Sequence, residues 1–199
     1  MCILHIVRKD YNNIEITEGI MEALECIKTR RSIRKFKPDM IDESILKDIV
    51  EASSYSPSWK HSQIARYYAV TGDLKDQIAT EATKAYPHNG DIIKEAPVLM
   101  VMAFVKSRSG FERDGSFSTN KERGWEYFDA GISSQSFCLA AHDKGLGTVI
   151  MGIFDDSVVA SLLELPETQE VACLIPLGYA DEAPVAPRRK DVSDLLVIK

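Results

Sequence analysis

Apolar side chains recur every three or four positions over residues 21 to 30, where Met21, Ala23, Leu24 and Ile27 share a face, and a helix is predicted there. A second helix is predicted over 43 to 54, with Glu43 in its first turn and Ile45, Leu46, Ile49 and Val50 on one side. Residues 54 to 62 are rich in Ser and contain Pro57, the composition of a loop. Residues 65 to 70 read as a strand, Gly72 as a turn and 74 to 84 as a helix. A polar loop holding Pro87, Asn89 and Gly90 then leads through a short helical stretch near 91 to 95 into PVLMVMAFV, residues 97 to 105. That unbroken apolar run predicts a strand buried on both faces, its methionines filling core space.

The next sixteen positions, 107 to 122, are polar and glycine-containing, and predict a long mobile loop of the kind that covers sites in compact domains. The longest helical pattern follows, from 125 to 144. It is lined by Phe128, Ile132, Phe137 and Leu139 and by small residues, Ala130, Gly131, Ser133, Ser134 and Ala141, which permit close approach of a neighbouring element. Residues 146 to 152 predict a strand, 155 to 163 a helix and 171 to 179 a strand, and the tail ends on an apolar stretch from Val192 to Ile198. Helices separated by a few buried strands describe one α+β or α/β domain over residues 21–199. Residues 1–20 stand apart as a leader or poorly ordered extension. Their apolar start is too short to span a bilayer and lacks an export cleavage pattern. Two readings of that leader stand: translated upstream sequence, with Thr17, Glu18 and Gly19 encodable by a purine-rich ribosome-binding stretch, or a short strand packed on the domain.

At 199 residues, 45% hydrophobic and 27% charged, the chain has the bulk for one sizeable core. Its formal net charge of -6 argues against nucleic acid or an anionic membrane as partner. Cys2, Cys26, Cys138 and Cys173 form no CxxC pair and read as free thiols of a reducing cytoplasm. Against this acidic background KTRRSIRKFK, residues 28 to 37, concentrates Lys28, Arg30, Arg31, Arg34, Lys35 and Lys37 around Ser32. Arg30, Ser32 and Arg34 alternate, so an extended backbone points all three to one side and turns Arg31 elsewhere. Guanidinium forks and a hydroxyl suit a phosphate dianion, and Arg188, Arg189 and Lys190 form a second cluster able to converge on it. The competing reading is a solvated basic helix end. There is no GxGxxG, GxxxxGK[ST] or GxSxG, and His5, His61, His88 and His142 are not read as a metal set; His142 is assigned a structural role.

Taken in order, KTRRSIRKF, SPSWKHSQIARYYAV, FDAGISSQSFCLAAHDKGLGTVIMGIFD and GYADEAPVAPRRK, with the short apolar tail after them, resemble the FMN-dependent nitroreductase-like family. The similarity runs from about Ala23 to the C-terminus, leaving the leader and the 107–122 loop outside. It implies an α+β nitroreductase-like fold, a central mostly antiparallel sheet flanked by helices, in an intertwined homodimer with two FMN sites at the interface. By the same resemblance Arg30, Ser32 and Arg34 contact the FMN phosphate and polar edge, Arg31 belongs to that stretch, and Arg188 and Arg189 close on the phosphate. Pro57 and Ser58 approach the flavin from the other subunit, Asn89 reaches the polar edge of the ring, and Met151 and Gly152 form the turn beside its reactive side. The C-terminal segment crosses the partner.

Two positions depart from the family pattern. His61 stands where Asn is common and Ile64 where proline or threonine is common. An imidazole cannot reproduce the donor and acceptor geometry of an amide, and it adds a charge that responds to pH near neutrality.

The resemblance implies a flavoprotein oxidoreductase that takes hydride from NADH or NADPH and reduces a small aromatic or quinone-type electron acceptor, nitroaromatics among them, by a ping-pong cycle. The flavin carries the chemistry, so no catalytic acid or base and no metal is expected. The 107–122 loop is a candidate cover, with Phe111, Trp125 and Tyr127 as candidates either for its lining or for packing. The alternative is a flavin-binding or flavin-storage protein with little turnover, motivated by His61. A third reading leaves the cations as surface decoration.

Overall fold

The computed structural model describes residues 22–199. The leader readings, Met21, Cys2 and His5 therefore lie outside the described residues. In chain order the elements are α1 (Ala23–Thr29), α2 (Glu43–Ser54), β1 (Ala65–Val70), α3 (Gly72–Glu81), α4 (Pro87–Glu95), β2 (Val98–Val105), α5 (Gly124–Asp143), β3 (Leu146–Thr148), α6 (Asp156–Leu162), β4 (Gln169–Tyr179) and α7 (Val192–Leu195). Side-chain caps start two of them. Asp42 accepts from the Ser44 N–H at 2.8 Å ahead of α2, and Asp155 accepts from the N–H groups of Ser157 and Val158 ahead of α6.

The strands form one antiparallel sheet in the order β1-β2-β4-β3. Because side chains alternate across a strand, β2 feeds both faces. Leu99 and Val101 join Ile78, Ala79, Ile92, Ile93 and Val159 of α3, α4 and α6, while Val98, Met100 and Met102 join Ile49 of α2 and Phe137, Cys138 and Ala141 of α5. The architecture is thus α+β, with helices on both sides of the sheet. A register shift between Met102 and Ala103 re-aims the last part of β2, where Phe104 packs with Ile64 and Ala130 in a small third cluster. Phe137 is fully buried and stacks with Tyr67 at a ring separation of 5.5 Å.

Three expectations are corrected. The segment holding Pro87, Asn89 and Gly90 is the first turn of α4 and not a loop, since proline at a first helical position lacks only an N–H that has no helical partner. The strand after α5 ends at Thr148, and residues 149 to 152 continue only as an isolated bridge between Met151 and Leu174. The 107–122 excursion is a built structure: Phe111 and Phe117 bridge and pack at 4.8 Å, the Glu112 N–H donates to the Ser116 carbonyl, and the Ser118 N–H donates to the Gly110 carbonyl. Its polar composition goes into local hydrogen bonds.

The segment after α1 runs extended beside β3 and the end of β4. The Ile33 N–H donates to the Thr148 carbonyl and the Lys37 N–H to the Tyr179 carbonyl, each at 2.9 Å. Ile33 and Phe36 are buried anchors, and glycines make room for them. A Cβ on Gly147 would stand 2.7 Å from Ile33 Cγ1, and one on Gly178 would stand 2.9 Å from Phe36 Cδ1. Gly147→Ala is expected to cost about 1–3 kcal/mol by overpacking, seen as a lower urea midpoint with an unchanged slope. A midpoint equal to wild type would show that the basic segment does not depend on this contact.

Candidate functional site

The extended segment places its cations along one rim. Arg30, Arg31, Ser32 and Arg34 line a cleft of ≈ 390 Å³ whose opposite wall is Pro184, Val185, Pro187 and Arg189. The returning tail is fixed by two contacts: the Asp181 N–H donates to the Lys35 carbonyl at 2.9 Å, and the Glu182 carboxylate accepts from the N–H groups of Arg34 and of Lys35. Among the described residues no ion pair engages Arg30, Arg34 or Arg189. Guanidinium groups gathered without an ion pair of their own fit a multiply charged anion, and in this partly enclosed cleft the attraction is less screened than on open surface.

Two of the predicted basic residues sit differently. Arg31 does line the cleft, yet one of its Nη atoms donates to the Lys28 and Arg30 carbonyls at 2.7 and 2.8 Å, closing the C-terminal end of α1. The alternation that should have turned it away fails because the chain is still leaving the helix there. Arg188 is outside the cleft; its side chain is 90% exposed and stands 4.0 Å from Asp191.

Four residues beyond Thr148 comes Gly152, so Met151 and Gly152 lie within about 14 Å of the Ser32 pairing point by chain length alone. Met151 is buried and exchanges backbone hydrogen bonds with Leu174. Gly152 opens onto a broad cleft of ≈ 700 Å³ shared with Ile153, Phe154 and Lys84, and nothing approaches within 4 Å of where its Cβ would stand. Asn89, from α4, donates its amide to the Ile153 carbonyl at 3.0 Å and so braces this turn.

Pro57, Ser58 and His61 lie elsewhere. Ser58 and Gln63 line a cavity of ≈ 210 Å³ together with Tyr67, Asp129 and Ser133, and none of these lines the arginine cleft. Ser58 Oγ accepts from the Gln63 N–H at 3.0 Å, and Gln63 Nε2 meets His61 Nε2 at 2.8 Å, a contact that requires the imidazole nitrogen to be the acceptor. Lys60, His61 and Gln63 all have left-handed backbones, with φ of 45°, 57° and 48°. Each costs about 1–2 kcal/mol without the freedom of glycine, so the surroundings must hold the loop. The candidate lining aromatics are engaged in packing: Trp125 lies on Trp59 at 4.6 Å, and Tyr127 donates to Glu170, which with burial pushes its hydroxyl up to about 12.

Sequence reasoning missed Glu182, whose partners are more than 140 positions away and leave no local signal. It also missed Asp129, although a carboxylate among the small residues of DAGISSQS was a readable clue. His142 is structural as expected, its Nε2 standing 2.9 Å from the Thr29 hydroxyl.

A model of the Nitroreductase family matches residues 27–179. A relative from Methanothermobacter thermautotrophicus, whose name joins NADH dehydrogenase with NAD(P)H nitroreductase, is 31% identical over 168 residues, covering 82% of this chain and 80% of its own. A nitroreductase family protein from Clostridium novyi NT has a TM-score of 0.70 at 28% identity, covering 87% of this chain and 91% of that one. An FMN complex from Exiguobacterium sibiricum 255-15 has a TM-score of 0.78 at 17% identity, covering 92% of this chain and 100% of that one, a likeness of fold.

One pH response follows from the basic rim. Burial first, then the charges of Arg30 and Arg31, push His142 below its ordinary 6.5, with Asp143 opposing. Just below 6.5 the unfolded chain binds the proton that the folded chain refuses, so stability rises with pH across that window and is lost as pH falls through it. Denaturation midpoints between about pH 5 and 8 are expected to fall more steeply on the acid side for wild type than for His142→Gln. Parallel curves would show that the titration of His142, by burial and by the rim charges together, does not bear on stability in this window.

Proposed function

Given that the chain belongs to the Nitroreductase family, we propose that it is an FMN-dependent oxidoreductase that draws on NADH or NADPH and reduces a small aromatic or quinone-type acceptor. The observation that carries this reading is that Arg30, Ser32, Arg34 and Arg189 line one cleft, with none of the three guanidinium groups in an ion pair among the described residues. Arg30 and Arg34 supply planar forks to a phosphate dianion, Ser32 a compact hydroxyl, and Arg189 closes from the opposite wall. Glu182 holds the backbone of Arg34 and Lys35 at a set distance from that wall. Past this end, Gly152 offers bare backbone to an approaching planar ring, and Asn89 keeps the turn in place through Ile153. Bound there, FMN supplies two-electron and hydride chemistry that no side chain performs.

Ser58 lines a cavity separate from the arginine cleft, and the assembly we propose is a homodimer in which each copy brings its Pro57 and Ser58 loop to the other copy's cleft. Exposed apolar side chains support the same assembly: Leu24 and Ile27 on α1, Phe128 on α5, and Val192, Leu195, Leu196, Val197 and Ile198 in the tail. His61 then stands on the rim as an acceptor for Gln63. The described cysteines, Cys26, Cys138 and Cys173, are unpaired and buried, and burial pushes the Cys173 thiol up to about 11. Unpaired thiols support a cytoplasmic setting, and no described helix is long and apolar enough to cross a membrane.

The purified protein is expected to carry FMN whose visible absorbance bleaches on anaerobic addition of NADH or NADPH. Arg30→Ala and Arg34→Ala should each weaken FMN binding about 10- to 100-fold, the equivalent of about 1.5–3 kcal/mol for a charge-assisted bond, while Arg188→Ala stays within about twofold, as expected of an exposed ion pair. Titration of FMN into flavin-free protein reads all three. Bound FMN that does not bleach would favour the flavin-storage reading, and no binding at all would return the cations to the surface.

A further inference from the structure

Asp129 lies on α5 with 2% of its surface exposed and forms no ion pair among the described residues. Buried carboxylates are kept by hydrogen bonds or counter-charges, and here the hydrogen bonds converge on one atom. Oδ2 accepts from the Trp59 N–H at 2.9 Å, from the Ser62 hydroxyl at 3.3 Å and from the Ser109 hydroxyl at 2.6 Å. The first two donors belong to the 58–63 loop with its left-handed residues, and the third belongs to the 107–122 excursion. Three donors from two segments therefore share a single oxygen, so loss of any one of them leaves the others as the remaining link through that atom.

Other contacts between these segments are weaker or less directional. Lys60 reaches Glu112 at 3.0 Å, but both side chains are exposed and such pairs contribute little. Trp59 also packs on Trp125 of α5 with rings tilted by 47°, a contact that holds the loop to the helix and does not reach the excursion. Within the 58–63 loop the remaining bonds are local: His61 N–H to the Ser58 carbonyl, Ser62 N–H to the Trp59 carbonyl and Gln63 N–H to Ser58 Oγ. Local bonds set the shape of the loop without setting its position on the body.

We propose that Asp129 is a positioning residue that ties the 58–63 loop and the 107–122 excursion into a single rigid cover, so that order in one segment enforces order in the other and fixes where Ser58 and His61 stand. The catalytic side of this inference rests on the proposed flavin function, in which Ser58 faces the partner's cleft. The tie itself is a property of the chain with or without flavin.

Hydrogen exchange read by mass spectrometry on purified wild type, Ser109→Ala, Ser62→Ala and Asp129→Asn tests it. Ser109→Ala removes the excursion's hydroxyl from Asp129 and from the Trp125 carbonyl, both on α5, and leaves every bond made by the 58–63 loop intact, yet the amides of 59 to 63 are expected to exchange about tenfold faster, as loss of one bond to a charged group predicts for a coupled unit. Ser62→Ala should in turn quicken exchange within the excursion, and Asp129→Asn should quicken both. The chain has two tryptophans, Trp59 and Trp125, so a red shift of tryptophan emission reports the same loosening. Acceleration confined to the segment that was mutated would overturn the tie. Should Asp129→Asn fail to fold, the two serine variants decide the matter by themselves.

The positioning role is then read as FMN affinity in the same variants, expected to fall about threefold in Ser109→Ala, a side chain outside the arginine cleft. Unchanged affinity together with coupled exchange would keep the tie and overturn its bearing on the cofactor. Failure of wild type to bind FMN would sink the flavin reading, leaving exchange to decide the tie.

Discussion

Burial of β2 and β4 on both faces is the constraint on which the rest of this structure depends. Two adjacent antiparallel strands whose side chains are apolar on either side must be covered twice, and the helices divide accordingly, α2 and α5 on one face and α3, α4 and α6 on the other. With both faces taken, further pairing is available only at the sheet edges. The segment that follows α1 takes up pairing beside β3 through Ser32 and Thr148, and the tail that follows β4 pairs back on it through Ala180 and Phe36. Two stretches of chain almost 150 residues apart therefore meet because the middle of the sheet leaves them nowhere else to pair.

That meeting gathers cations of an acidic chain into one cleft. The chain is acidic overall, with a formal charge of -6, and its cations would be dispersed counter-ions on a different fold. Here buried Ile33 and Phe36 hold the backbone down, Gly147 and Gly178 admit them, and Arg30, Arg31 and Arg34 line one cleft with Arg189. A carboxylate takes part as well: Glu182 accepts from the backbone N–H groups of Arg34 and Lys35 and forms no ion pair with the guanidinium groups, so it joins the tail to the basic segment.

Asp129 plays a comparable part beside a separate cavity. In both places one acidic side chain accepts several neutral donors from segments distant in sequence, and in both the result is a fixed relation between loops that carry no regular secondary structure. Loops with left-handed residues such as Lys60 and His61 need this support, because their own short-range hydrogen bonds do not offset the conformational cost.

Periodicity made much of the fold legible. The bounds of α2 and β1 match the apolar pattern, and the run at 97 to 105 is the central buried strand that its composition implied, because burial on two faces demands an unbroken apolar sequence. The start of α4 was hidden by Pro87, Asn89 and Gly90, which suit a turn equally well, and the excursion after β2 was hidden by its polarity. Of the candidate site, the sequence by itself determined which residue types were present: arginines flanking a serine, glycines at close approaches, a histidine in place of an amide. Only the tertiary structure decided that Arg189 lines a cleft with Arg30 while Arg188 does not, that Arg31 closes a helix end, and that Glu182 and Asp129 accept hydrogen bonds from segments distant in sequence. Secondary structure follows from neighbours a few residues apart, whereas these relations follow from sheet order and packing across the whole chain, which no local pattern encodes.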